Sequence, residues 1–104
     1  MMSNGRYAVI GVWNMEASRW DEQQRVLHEQ LVPMVSQSPG FVAGYWMGDR
    51  AASKTYTTIV FENEAAALGF KAFLTGDAAK SNQEQSGVHN ESLIVAEVAA
   101  EARR

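Results

Sequence analysis

Two histidines are the chain's candidates for proton chemistry. His28 stands beside Leu27 and one turn before Leu31, at the margin of an apolar stripe, and His89 opens the polar run His89-Asn90-Glu91-Ser92. An imidazole titrates near neutrality, so in an apolar cleft it can act as a general base, a role worth about 10²–10⁴ in rate. His28 could face a cleft between helix and sheet; the competing reading is a boundary histidine bonded to solvent or backbone. For His89 the competing reading is a solvated strand start. Tyr45, Trp46 and Tyr56 offer flat apolar area with one hydrogen-bonding tip, which suits them to grip an aromatic molecule or, equally, to pack a core or an interface. Tyr45 and Trp46 are neighbours on a strand and face opposite ways, so they are alternatives for one pocket. Asn14 could orient a carbonyl or hydroxyl, or simply form a turn.

Other chemistries lack their residues. There is no cysteine, hence no disulfide, thiolate nucleophile or cysteine metal site. Neither histidine has a partner at metal-binding spacing, so no metal is expected, and two histidines at unrelated places argue no Ser-His-Asp set. Gly40, Gly44 and Gly48 are spaced for a strand between breaks and not for a phosphate loop. The nine basic residues are scattered and the formal charge is −3. Nucleic acid is therefore not an expected partner. No window approaches the roughly 20 apolar residues of a membrane span, and Met1 to Arg6 shows no signal-peptide pattern. A cytoplasmic protein with no membrane partner is the expectation.

The 104 residues, 46% hydrophobic and 20% charged, suit one domain that buries about two thirds of its unfolded surface. It spans residues 1–104, with 1–6 and 99–104 expected as flexible ends. Tyr7 to Trp13 reads as a first strand, being short, β-branched and aromatic. Ser18-Arg19-Trp20-Asp21 has the shape of a capping box, and Trp20, Leu27, Leu31, Met34 and Val35 then fall on one stripe of a helix. Pro33 predicts a kink or a last turn of altered geometry before Ser38. Ser38-Pro39-Gly40 stops the helix, with Gly40 suited to a left-handed cap, and Phe41 to Met47 forms a second strand.

Asp49 to Lys54 is a hairpin connection to a third strand, Thr55 to Phe61. Asn63 can cap a helix that keeps Ala66, Ala67, Phe70, Phe73 and Leu74 on one face. Thr75-Gly76-Asp77 ends or breaks it, residues 78–87 predict at most a further turn and a loop, and a last strand lies within Val88 to Val98. The order β-α-β-β-α-β is that of an α+β, ferredoxin-like fold with an antiparallel sheet. Helices cover one sheet face, yet in the first two strands both alternating sets are apolar or aromatic. A second copy stacked on the open face, a homodimer, is the expected cover.

With a first helix running into Ser38-Pro39-Gly40-Phe41, and a third strand ending Ile59-Val60-Phe61-Glu62 before the Ala-rich helix from Ala65, the chain resembles the antibiotic biosynthesis monooxygenase family of dimeric α/β barrels over roughly residues 7–98. The resemblance implies cofactor-independent oxidation of a small, quinol-like aromatic substrate. A base in an apolar pocket would deprotonate it so that the anion can reduce dioxygen. His28 is the candidate base, and Asn14, Tyr45 or Trp46, Tyr56 and His89 are the candidate substrate contacts. The alternative is a non-catalytic ligand-binding or interaction module of the same fold. The family's haem-degrading branch carries a Trp where this chain has Phe61 and a His where Ala79 to Gln85 has none, and Asn14 lies nearer the helix than that branch's asparagine. Haem degradation is accordingly the less expected activity, and no cofactor is expected.

Overall fold

Runs of β-branched and aromatic residues become strands where polar and glycine-rich segments bound them. The computed structural model, which describes residues 5–104, carries four: β1 (Tyr7–Asn14), β2 (Phe41–Asp49), β3 (Lys54–Phe61) and β4 (His89–Glu97). They form one antiparallel sheet in the order β2-β3-β1-β4, the ferredoxin-like arrangement. The expected hairpin joins β2 to β3. Of the expected flexible ends, residues 1–4 lie outside the described residues, while Arg6 is held to Glu101 of the C-terminal segment by an ion pair of 2.9 Å.

The first crossover is a continuous helical stretch of changing pitch. A 3₁₀ turn (Ala17–Arg19) leads into α1 (Trp20–Val26), a π-helical turn (Leu27–Leu31) and α2 (Val32–Ser36). The altered geometry lies one turn ahead of Pro33 and not in the last turn before Ser38, which is α-helical. Pro33 has no N–H to offer the carbonyl four residues back, and its ring crowds that carbonyl. The helix widens there, and Val32 N–H bonds the Leu27 carbonyl five residues back.

The capping box does not form. Ser18 lies inside the 3₁₀ turn and neither helix start has a side-chain cap; Asp21 instead pairs with Arg50 from the hairpin loop. Gly40 does take the left-handed conformation, with φ of +77°, and its would-be Cβ position lies 2.7 Å from that of Ala66, so no side chain fits. Gly48, expected as a break, lies inside β2.

The second crossover has two helices where one and a loop were expected. In α3 (Glu64–Leu74) the Asn63 side chain accepts a bond from Ala66 N–H at 2.9 Å, as expected of a cap. Thr75 and Gly76 end it, and α4 (Asp77–Ser86) follows, closed by Gly87 in the left-handed region. Only Ala79 of α4 is buried. Under these helices the core gathers Val9, Val35, Ile59, Phe61, Ala67 and Phe70, with the Phe61 and Phe70 rings 5.2 Å apart.

Two bulges adjust the sheet. Glu91 is an extra residue on β4 between the partners of Val12 and Trp13, and the Asn90 amide bridges the gap by donating to the Val12 and Ser92 carbonyls at 3.2 and 2.9 Å. Val42 is the extra residue on β2.

Candidate functional site

Alternation puts residues 55, 57, 59 and 61 of β3 toward the helices and 54, 56, 58 and 60 away from them. Register then brings Gly11 and Trp13 of β1, and Gly44, Trp46 and Gly48 of β2, to the same side. Each tryptophan lies over a glycine. A Cβ on Gly11 would stand 2.6 Å from the Trp13 indole nitrogen, one on Gly44 2.9 Å from the Trp46 ring, and one on Gly48 3.0 Å from Trp20. Glycine at these places lets the indoles lie down on the sheet.

Between this floor and the two helical crossovers is a cavity of about 460 Å³, within the range that holds drug-sized ligands. Trp13, Trp46, Thr55, Thr57 and Ile59 form the floor; Leu27, Leu31 and Met34 form one wall, and Phe70, Phe73 and Asn82 belong to the opposite one. The π-helical turn supplies Leu27, Gln30 and Leu31 to the lining. Leu31, Met34 and Phe73 are exposed while Thr55, Thr57 and Ile59 of the floor are buried, so they mark the mouth. A crevice of about 470 Å³ on the helical side adjoins the cavity through Met34, Phe70 and Phe73.

No side chain lining the cavity, among the described residues, is ionisable. Its polar groups are amides and hydroxyls, of which Gln23, Gln83 and Thr57 are engaged within the protein. Gln23 is buried and clamps two segments, its amide donating to the Ser86 carbonyl at 2.7 Å and its carbonyl accepting from Glu16 N–H at 3.2 Å. The Gln83 amide donates to the Leu74 carbonyl at 3.3 Å. The Thr57 hydroxyl accepts from the Trp13 indole N–H at 3.2 Å. Thr55, 5% exposed, has a hydroxyl with no partner.

The residues singled out in the sequence scatter. Trp46 lines the cavity, and Tyr45, its neighbour, is on the opposite face and 64% exposed. Tyr56 shares that open face at 40% exposure. His28 lies in the π-helical turn, exposed and outside the lining. His89 is exposed at the start of β4. Asn14 pairs with both Lys54 and His89 at the end of the sheet. Lys54 Nζ lies 2.7 Å from the Glu91 carboxylate. That bond, helped by the Lys54 charge, holds the Glu91 carboxyl below its ordinary range and the Lys54 ammonium above its own. Thr55, Thr57 and Met15 were not singled out. The two threonines had a signal in the alternation Thr-x-Thr-x-Ile opposite Trp13, which polar residue type concealed; Met15 had none. Among the described residues no group of three or more His, Cys, Asp or Glu is placed to hold a metal ion.

No family model matches the chain, and no curated protein is detectably similar to it in sequence. Solved structures are similar to it in shape. A putative antibiotic biosynthesis monooxygenase from Chloroflexus aurantiacus superposes with a TM-score of 0.64 at 15% identity, over 94% of this chain and 97% of that one. A protein of unknown function from Nitrosomonas europaea gives 0.69 at 16%, over 99% and 98%. MupZ from Pseudomonas fluorescens gives 0.70 at 9%, over 88% and 71%. With these likenesses, the β-α-β-β-α-β order and the antiparallel sheet, the chain has the ferredoxin-like α+β fold of the antibiotic biosynthesis monooxygenase structures.

Proposed function

We propose that the cavity binds an uncharged, largely apolar small molecule, and that this binding is what the protein does. The observation that carries the reading is the neutrality of the lining. A charged guest would lose its hydration with no counter-charge to meet it, whereas apolar area leaving water gains about 25 cal/mol per Å². The indole floor adds flat polarisable surface for a planar guest. Cofactor-free oxygenation of such a guest is the second reading, favoured by the names of several structural neighbours. It would have to run without a base from the lining, so the substrate itself must ionise readily.

A second copy on the open sheet face accompanies this reading. One row across the sheet there is Tyr45, Thr58, Ile10 and Ile94, and the next begins Met47, Tyr56 and Val12. Ile10, Tyr45, Met47, Tyr56 and Ile94 are all exposed in the single chain, an apolar patch that pairing would cover. Light scattering should give twice the mass of one chain.

Thermal shift against naphthalene, 1-naphthol and 1-naphthoate tests the ligand reading. The two neutral compounds should raise the melting temperature, since a ligand at 100 times its dissociation constant stabilises by about 2.7 kcal/mol, and the carboxylate should not. Stabilisation by the carboxylate alone would overturn the reading. Oxygen consumption with 1-naphthol would favour the second reading.

A further inference from the structure

Thr55 is the one buried polar group of the lining, among the described residues, whose hydroxyl lacks a partner. We propose that this hydroxyl is the hydrogen-bonding anchor of the cavity, selecting guests that carry a neutral oxygen at their inner end; the proposal rests on the ligand-binding reading above. The other buried polar side chains of the lining are committed: Gln23 to Ser86 and Glu16, and Thr57 to Trp13. Gln30, Asn82 and Gln85 are exposed and have water. A buried hydroxyl left without a bond is costly, and protein interiors seldom keep one without a use.

Its place fits the role. Thr55 belongs to the floor, between Trp13 of β1 and Gly48 of β2, whereas the exposed Leu31, Met34 and Phe73 mark the mouth. A guest anchored at Thr55 would therefore put its oxygen on the sheet and its apolar body toward the mouth. The hydroxyl oxygen itself has almost no accessible surface in the unliganded chain, so the anchor requires the side chain to step by about 120° to another staggered well when a guest enters, a change that needs no backbone movement. A threonine hydroxyl both donates and accepts, which admits a phenol, an alcohol or a ketone alike. No cation is there to favour a carboxylate.

The test is a cycle of two proteins and two probes, wild type and Thr55→Val against 1-naphthol and naphthalene, with dissociation constants from tryptophan fluorescence titration. Valine keeps the shape and removes the hydroxyl. The expected result is about a five-fold loss of 1-naphthol affinity with naphthalene unchanged. Equal affinity of both proteins for 1-naphthol, or an equal loss for both probes, would overturn the anchor and leave the ligand pocket standing. Failure of both probes to bind wild type would overturn the pocket reading and the anchor with it. Thr55→Ser, which restores the oxygen, should recover the preference for 1-naphthol over naphthalene.

Discussion

The two faces of the sheet are made from the same strands and differ in what they leave unfinished. Toward the helices β3 presents Thr55, Thr57, Ile59 and Phe61, all buried, and the space left over is a neutral cavity with one exposed mouth. Away from them it presents Lys54, Tyr56, Thr58 and Val60, beside Ile10, Tyr45 and Met47, and the space is open. The covered face keeps a hole at its centre; the bare face keeps its apolar surface at large. The first geometry suits a small guest, and the second suits something as large as another sheet.

Paired substitutions along one strand can break this contrast. Phe61→Ala should cost about 3–5 kcal/mol in urea unfolding, because Phe61 is fully buried against Phe41 and Phe70; Val60→Ala, on the bare face, should cost clearly less. Similar losses would mean that both faces are packed alike. Ile10→Glu should next separate the faces by function. It should weaken self-association by two decades or more in sedimentation, since a carboxylate would be desolvated between sheets, while naphthalene binding stays within about two-fold.

A finer contrast lies within the covered face. Thr57→Val should lower stability by about 1 kcal/mol because it strands the Trp13 indole N–H. Thr55→Val removes a hydroxyl that has no partner and should raise the melting temperature of the unliganded protein by a few degrees. Two adjacent inward threonines would then respond with opposite signs, as differential scanning fluorimetry can show.

The smallest effects concern protons. Glu91, with its carboxyl depressed in the folded chain, contributes stability above its ordinary 4.5 that fades as the pH falls through the lowered value. Lys54, with its ammonium raised, contributes below its ordinary 10.5 and loses that contribution as the pH rises through the higher value. The melting difference between wild type and Glu91→Gln should thus be small and level through neutrality and shrink on the acid side. Naphthalene affinity should be level over the same range, and His28→Ala should leave it unchanged, because His28 is outside the lining.

What the sequence made legible was local. Asn63 as a cap, Gly40 as a left-handed stop and the β2–β3 hairpin each follow from residues a few positions apart. The helix α4 was hidden because its ten residues bury a single alanine and so show no apolar stripe. The capping box at Ser18 was a true pattern that lost to tertiary contacts, with Asp21 drawn off to Arg50. The cavity was harder still. Its floor is set by register between strands, and its wall by a turn whose pitch Pro33 alters. Leu27, Leu31 and Met34 did lie on the expected stripe, but two of them face an open mouth and not a filled core.

The glycine beds beneath the indoles have an optical consequence. Trp13 and Trp46 form part of the cavity floor, whereas Trp20 lies outside the lining, buried, with the Arg50 guanidinium 6.0 Å from its ring centre. The molecule thus carries its own spectroscopic labels: two emitters that a guest would touch and a third that serves as an internal reference. Replacing Trp13 or Trp46 in turn by phenylalanine would show from which side of the floor a bound molecule alters the emission.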